Sequence, residues 1–262
     1  MSAIAAAAAL AIYLRARQRS AAAPLRGAAV GLVAAGVAAA AVIWGWLAVH
    51  DDAQDDATLD QTVASARALP MVGMVLDDVP GAEQRLRESL REEMRRPTTE
   101  GVSRPLKLMR ELRAEYVVPA LRAADDASAT AVIEARSALL RHLQETELTV
   151  CKEFALTGIQ HTERLDLAGQ KMLREVLAAL EAAYRSGRAA KDRPAGKTLS
   201  DTEARILLTQ AGFTAEDFDR LAHLARLPEA EACAIALKFN EAPASLPADK
   251  RSPLMHYLLT VQ

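Results

Sequence analysis

The stretch Ala28–Val49 reads AAVGLVAAGVAAAAVIWGWLAV and contains no charged residue. At about 1.5 Å per residue, a helix of this length crosses a hydrocarbon core about 30 Å thick. Charges of opposite sign flank it, with Arg15, Arg17, Arg19 and Arg26 before it and Asp51, Asp52, Asp55 and Asp56 after it. These features predict a transmembrane helix near the start of the chain.

The charge asymmetry also predicts the orientation of this helix. Basic residues beside a membrane span stay in the cytoplasm, whereas acidic residues orient it only weakly. We therefore expect 1–27 to form a short apolar segment and a basic cytoplasmic loop, 28–49 to span the membrane, and 50–262 to lie outside. Trp44 and Trp46 stand at the outer end of the span, where indole rings favour the membrane–water interface.

Two alternatives concern the N-terminal region. The segment Met1–Leu14 is apolar but short for a full crossing, so it forms either a first span or a helix lying on the membrane. Residues 50–262 are external in both cases. A cleaved signal peptide is disfavoured because Trp46-Leu47-Ala48 places a bulky residue, Trp46, where a cleavage site requires a small one.

Gly27 and Gly31 form a Gly-x-x-x-Gly pair beside and within the apolar run. This spacing lets two membrane helices approach closely and form a homodimer. Alanine-rich spans also produce such pairs by chance. Membrane lipid is thus an expected partner, and a second copy of the chain is a further candidate.

The charge balance after the run constrains the other partners. All 34 acidic residues but only 28 of the 32 basic residues follow it, so the external part is mildly acidic. Nucleic acid is therefore not an expected partner, because phosphate binding requires a basic face. The alanine- and arginine-rich composition favours a bacterial inner membrane, with most of the chain in the periplasm.

Apolar residues after position 50 recur with helical spacing, as in Leu86, Leu90 and Met94, and strand-type alternation is not sustained anywhere. The sequence predicts an all-α fold with an external antiparallel bundle of long helices over 50–187. A segment rich in charge, proline and glycine over 188–198 predicts a linker.

A smaller C-terminal helical subdomain is predicted over 199–262. Ser200 with Glu203 has the spacing of a capping box at a helix start, and Thr214 with Asp217 is interpreted as the opening of the next helix. Gly187 is interpreted as the end of the long helix that precedes the linker.

One short segment is assigned to a loop. The range 70–81 contains Gly73 and Pro80, residue types that interrupt helices. Its apolar residues form either an exposed tip that binds a partner protein or a cap on the core; they are Met71, Val72, Met74, Val75 and Leu76.

Two cysteines, Cys151 and Cys233, follow the predicted membrane span. In an oxidising compartment such a pair predicts a disulfide. The alternative is two buried reduced thiols that act as small apolar residues. The sequence leaves both open, because it does not give the distance between the two residues.

Patterns for metal binding and catalysis are sparse. His142 with Glu145, and His161 with Glu163, do not make a complete set of metal ligands, and no phosphate- or dinucleotide-binding motif occurs, so no metal or cofactor is expected. Cys151 and His161 form a conceivable nucleophile–base pair. The apolar helical surroundings of Cys151 favour an unreactive thiol.

The sequence thus predicts a membrane-anchored helical envelope protein that binds another protein, as a scaffold, interaction or assembly module. One alternative is a domain that senses a small molecule between its long helices. A second is an envelope enzyme that uses Cys151 or His161.

Overall fold

All regular structure in the described part of the chain is helical, as the apolar periodicity predicts, and it contains no strand. The described residues divide into two compact units, 52–113 and 114–261. The computed structural model describes residues 52–99, 101–159, 161–190 and 199–261.

Acidic and arginine side chains join two antiparallel helices of the first unit. Its described helices are α1 (Asp52–Arg67), α2 (Pro70–Asp78), α3 (Ala82–Arg95) and α4 (Arg104–Leu112). Asp60 of α1 pairs with Arg87 of α3 at 2.5 Å, and Asp56 pairs with Arg91 at 3.4 Å. Exposed ion pairs contribute little individually. The main stabilisation therefore comes from the buried side chains Leu59, Val63, Val75, Leu86, Leu90, Leu108 and Leu112.

The predicted loop with an apolar tip is instead helix α2, which is a correction to the sequence analysis. Pro70 stands in its first turn, where a missing N–H costs nothing, and Pro80 lies beyond its end. At Gly73, a β-carbon would overlap the carbonyl oxygen of Arg67, so the glycine permits close packing there. Val72, Met74, Val75 and Leu76 are buried, and Met71 is half-buried.

The start of α4 is capped by Glu93, a residue eleven positions earlier in the chain. Ser103 stands at the N-cap position but makes no side-chain cap hydrogen bond. The buried carboxylate of Glu93 accepts instead from the backbone N–H groups of Thr98 (2.7 Å) and Arg104 (3.0 Å). Burial opposes the charge of Glu93, but these hydrogen bonds outweigh it and lower its pKa.

Two long antiparallel helices, α6 and α8, form the centre of the second unit. Asp125, before α6, accepts from Ser186 near the end of α8, and His142 near the end of α6 lies 2.8 Å from Asp166, before α8. The described helices of this unit are α5 (Val118–Arg122), α6 (Asp126–Thr146), α7 (Leu148–Thr157), α8 (Leu167–Ala189), α9 (Asp201–Gln210), α10 (Ala215–Ala222), α11 (Glu229–Glu241) and α12 (Ala248–Val261).

Local hydrogen bonds define where several of these helices begin and end. The predicted capping box at the start of α9 is confirmed, and the predicted helix opening at Thr214 also has the form of a capping box, with Asp217. Asp125 and Asp166 cap α6 and α8 by accepting from backbone N–H groups three residues later. Gly158 ends α7 with φ +78°, a conformation that glycine adopts without strain.

Gly187 does not end α8, which continues to Ala189. It is buried where α8 crosses α5, and a β-carbon at this position would overlap the backbone carbonyl of Ala120. The glycine is required for close approach of two backbones and not for a turn. The first two residues of the predicted linker 188–198 therefore belong to helix α8.

We expect Gly187→Ala to destabilise the protein by roughly 3 kcal/mol, because a backbone carbonyl cannot move away as a side chain can. Chemical denaturation followed by circular dichroism measures this. Gly169→Ala, in the same helix, is the matched control: there the nearest atom is Asp166 Oδ1 at 3.1 Å, which needs to shift by only a few tenths of an ångström. Equal stability of the two variants would contradict the assignment.

Candidate functional site

A disulfide joins Cys151 of α7 to Cys233 of α11. The two Cα atoms are 5.5 Å apart, and both residues are completely buried. Helices α7 and α11 also pack against each other and against α6. The bond therefore reinforces an apolar contact that joins the long-helix region to the C-terminal region within one unit.

A polar contact lies in the same three-helix core. Asn240 of α11 is fully buried, and its Nδ2 donates to Ser137 Oγ (2.7 Å) and to the carbonyl oxygen of Ile133 (2.9 Å) on α6. Its Oδ1 is sealed from solvent and has no hydrogen-bond donor among the described residues. Such a group costs free energy unless water or a ligand donates to it.

Arg136 lies on α6 one residue before Ser137 and close to α7. Its guanidinium carbon stands 5.7 Å from the centre of the Phe154 ring. The side chain is half-buried, and its Nε is sealed from solvent. Burial lowers the pKa of Arg136 to about 10, which still leaves it charged at neutral pH.

The described histidines each lie beside a carboxylate, although not beside the ones expected from sequence spacing. His142 contacts Asp166 rather than Glu145, and His161 Nδ1 lies 2.9 Å from Glu153 rather than contacting Glu163. Among the described residues, no cluster of three or more histidine, cysteine, aspartate or glutamate side chains could hold a metal ion.

The conceivable nucleophile–base pair of Cys151 and His161 is not assembled in this structure. The sulfur of Cys151 is bonded to Cys233, and no thiolate is available at either position. His161 is exposed and interacts with Glu153. A chemical role for Cys151 would first require reduction of the disulfide.

A charged and aromatic cluster forms where α10 meets α11. Lys238 Nζ lies 2.7 Å from Asp217 Oδ2 and 5.0 Å from the centre of the Phe213 ring. The Lys238 ammonium, then the backbone N–H of Thr214, lower the pKa of Asp217 to about 2. The same carboxylate thus caps α10 and holds it to α11.

Other predicted site residues lie outside the described part of the chain. These are the membrane-interface residues Trp44 and Trp46 and the helix-packing pair Gly27 and Gly31, together with the predicted span 28–49. Within the residues that the structure does describe, none of the helices combines the length and apolarity that a membrane crossing requires.

Sequence reasoning missed Arg136 and Asn240. The signal for Arg136 was present, since it lies four residues after Val132 and three before Leu139, in the apolar stripe of α6. Asn240 gave no comparable signal, because it stands one residue before the end of α11, a region of a helix where asparagine is common.

Comparison of the chain with protein-family models, with curated proteins and with solved structures found no match. The assignment of function therefore depends on the chain's own residues.

Replacing both cysteines with alanine is expected to destabilise the protein by about 4 kcal/mol, because a cross-link between residues 82 positions apart restricts the unfolded chain. The melting temperature should fall by roughly 10 °C. Melts followed by circular dichroism, with and without reductant, measure this. The double variant should not respond to reductant, and a wild-type melt that is unchanged by complete reduction would contradict the prediction.

Acid should weaken the contact between α10 and α11. The ordinary pKa of an aspartate is 3.8, and that of folded Asp217 is about 2. The stabilisation is therefore complete above pH 4 and is lost as the pH falls from about 4 to about 2. The stability difference between wild type and Asp217→Asn should shrink over this window.

Denaturation curves at several pH values test this dependence. Asp219→Asn is the matched control, because Asp219 lies on the same helix but is exposed. A stability difference for Asp217→Asn that stays constant between pH 5 and pH 2 would show that the Lys238 contact does not depress this pKa.

Proposed function

We propose that this chain is a membrane-anchored protein of the bacterial envelope whose helical region, outside the inner membrane, binds another protein as a scaffold, interaction or assembly module. The observation that carries the proposal is the buried Cys151–Cys233 disulfide. Structural disulfides persist in oxidising compartments such as the bacterial periplasm and are rare in the cytoplasm. The arginines that precede the apolar run 28–49 favour the same orientation.

The covalent link also supports a binding role. It holds α7 on α11, and both helices pack on α6, so a surface built on these helices is fixed before a partner arrives. Preorganised surfaces bind with less loss of side-chain and loop freedom. This property suits a module that presents helix faces to a partner.

Topology is the first test of the proposal. Alkaline phosphatase fused after Gln262 should be active, and green fluorescent protein fused at the same position should not fluoresce. In the same cells, acid-quenched and denatured protein should react with a thiol-alkylating polymer only after reduction, because the cysteines are bonded. The Cys151→Ser, Cys233→Ser double variant is the control that never reacts. A fluorescent fusion with alkylatable cysteines would refute the external location.

A small-molecule-sensing domain is the second candidate, and the buried Asn240 favours it. Its Oδ1 has no donor among the described residues, so a ligand N–H or O–H could supply one. A ligand that binds the folded state raises the melting temperature with its concentration. Screening for such shifts against wild type and Asn240→Leu separates this candidate from a scaffold, because only a ligand at this site loses its effect in the variant.

A further inference from the structure

Arg136 occupies a position in α6 where a charge is unexpected. The neighbouring stripe residues Val132, Leu139 and Leu143 are almost completely buried in the core of the second unit. Arg136 follows the same spacing, and its side chain is half-buried with Nε sealed from solvent. Arg136 is therefore not simply a charged residue on the solvent-exposed face of α6.

The guanidinium of Arg136 has no hydrogen bond or ion pair with any residue that the structure describes. Several other arginines of the second unit do have carboxylate partners; for example, Arg141 contacts Glu241, and Arg164 contacts Glu147 at 2.9 Å. A partly desolvated charge without an acceptor destabilises the folded state. The low pKa of Arg136, caused by burial, expresses this cost.

One weaker interaction compensates in part. The Phe154 ring attracts the cation at a centroid distance of 5.7 Å. This interaction provides no in-plane acceptors for the N–H groups of the guanidinium, whose planar arrangement matches a planar anion.

We propose that Arg136 is a binding site for a carboxylate, which its two Nη atoms hold end-on between α6 and α7. Nε is the sealed nitrogen, so the Nη edge is the accessible one. One guanidinium matches the single charge of a carboxylate better than the nearly double charge of a phosphate group. Resting on the proposed function, the carboxylate is an acidic side chain of the partner protein, and Phe154 provides an apolar surface beside it.

The first test is a titration of the full chain, labelled with ¹⁵N-arginine, in dodecyl maltoside. The probes are acetyl-Leu-Glu-Leu-amide, its glutamine counterpart, acetate and inorganic phosphate at matched ionic strength. The Arg136 Nε–H resonance is assigned by its loss in Arg136→Lys. We expect a saturable shift with the glutamate peptide, with half-saturation at roughly tens of millimolar, as for one charge-assisted contact.

Each probe has a defined outcome. The glutamine peptide should cause no shift, and acetate should bind at least threefold more weakly than the glutamate peptide. Together these results support a protein carboxylate as the ligand. Acetate binding as tightly as the peptide overturns the assignment to a protein partner. Phosphate binding more tightly than either overturns the assignment to a carboxylate, and no shift with any probe overturns the site.

The second test is stability. Arg136→Met keeps the side-chain volume and removes the uncompensated charge, so the melting temperature should rise by roughly 3 °C while the peptide-induced shift disappears. Arg141→Met, on the same helix, is the matched control and should leave peptide binding unchanged, because Arg141 already has a carboxylate partner. A lower melting temperature for Arg136→Met would show that Arg136 is structural.

These measurements are independent of the topology test. An internal location of the domain would refute the proposed envelope function while the titration still reports on the site. Conversely, loss of the Arg136 site would leave the external location standing.

Discussion

The covalent contact between α7 and α11 is the main constraint on the core of the second unit. Cys151 and Cys233 are fully buried at the place where both helices pack on α6, so the disulfide fixes the relative position of three helices. Asn240 on α11 and Arg136 on α6 belong to this same core.

The sequence predicted the helical class and those local features whose cause is local. The capping box at Ser200 depends on residues three positions apart, and the helix opening at Thr214 depends on the same spacing. Such signals are complete within one turn of chain. These features could therefore be predicted from the sequence without knowledge of tertiary packing.

Features that depend on distant residues were predicted wrongly. The glycine and prolines around 71–76 suggested a loop, but the structure uses Pro70 to start helix α2 and Gly73 to bring backbones together. Gly187 likewise serves a helix crossing with Ala120. In each case the residue type was consistent with two uses, and packing selected one.

The candidate site could likewise be predicted only in part, because its residues can be recognised in the sequence but their spatial partners cannot. The even number of cysteines allowed a disulfide but gave no distance between them, whereas the structure brings their Cα atoms to 5.5 Å. The break in the apolar stripe at Arg136 was visible in the sequence, although its lack of an acceptor was not. Whether a charge in a stripe has a partner depends on the neighbouring helices, and a single helix pattern contains no information about them.

The Cys151–Cys233 bond also changes the covalent topology of the chain. The backbone between the two cysteines becomes a closed ring, from which the N-terminal and C-terminal parts extend as two tails. A single hydrolysed peptide bond within that ring opens it but does not divide the molecule. A proteolytic nick between positions 151 and 233 would thus create a new pair of chain ends inside one molecule of almost unchanged mass, and only reduction would release the two fragments.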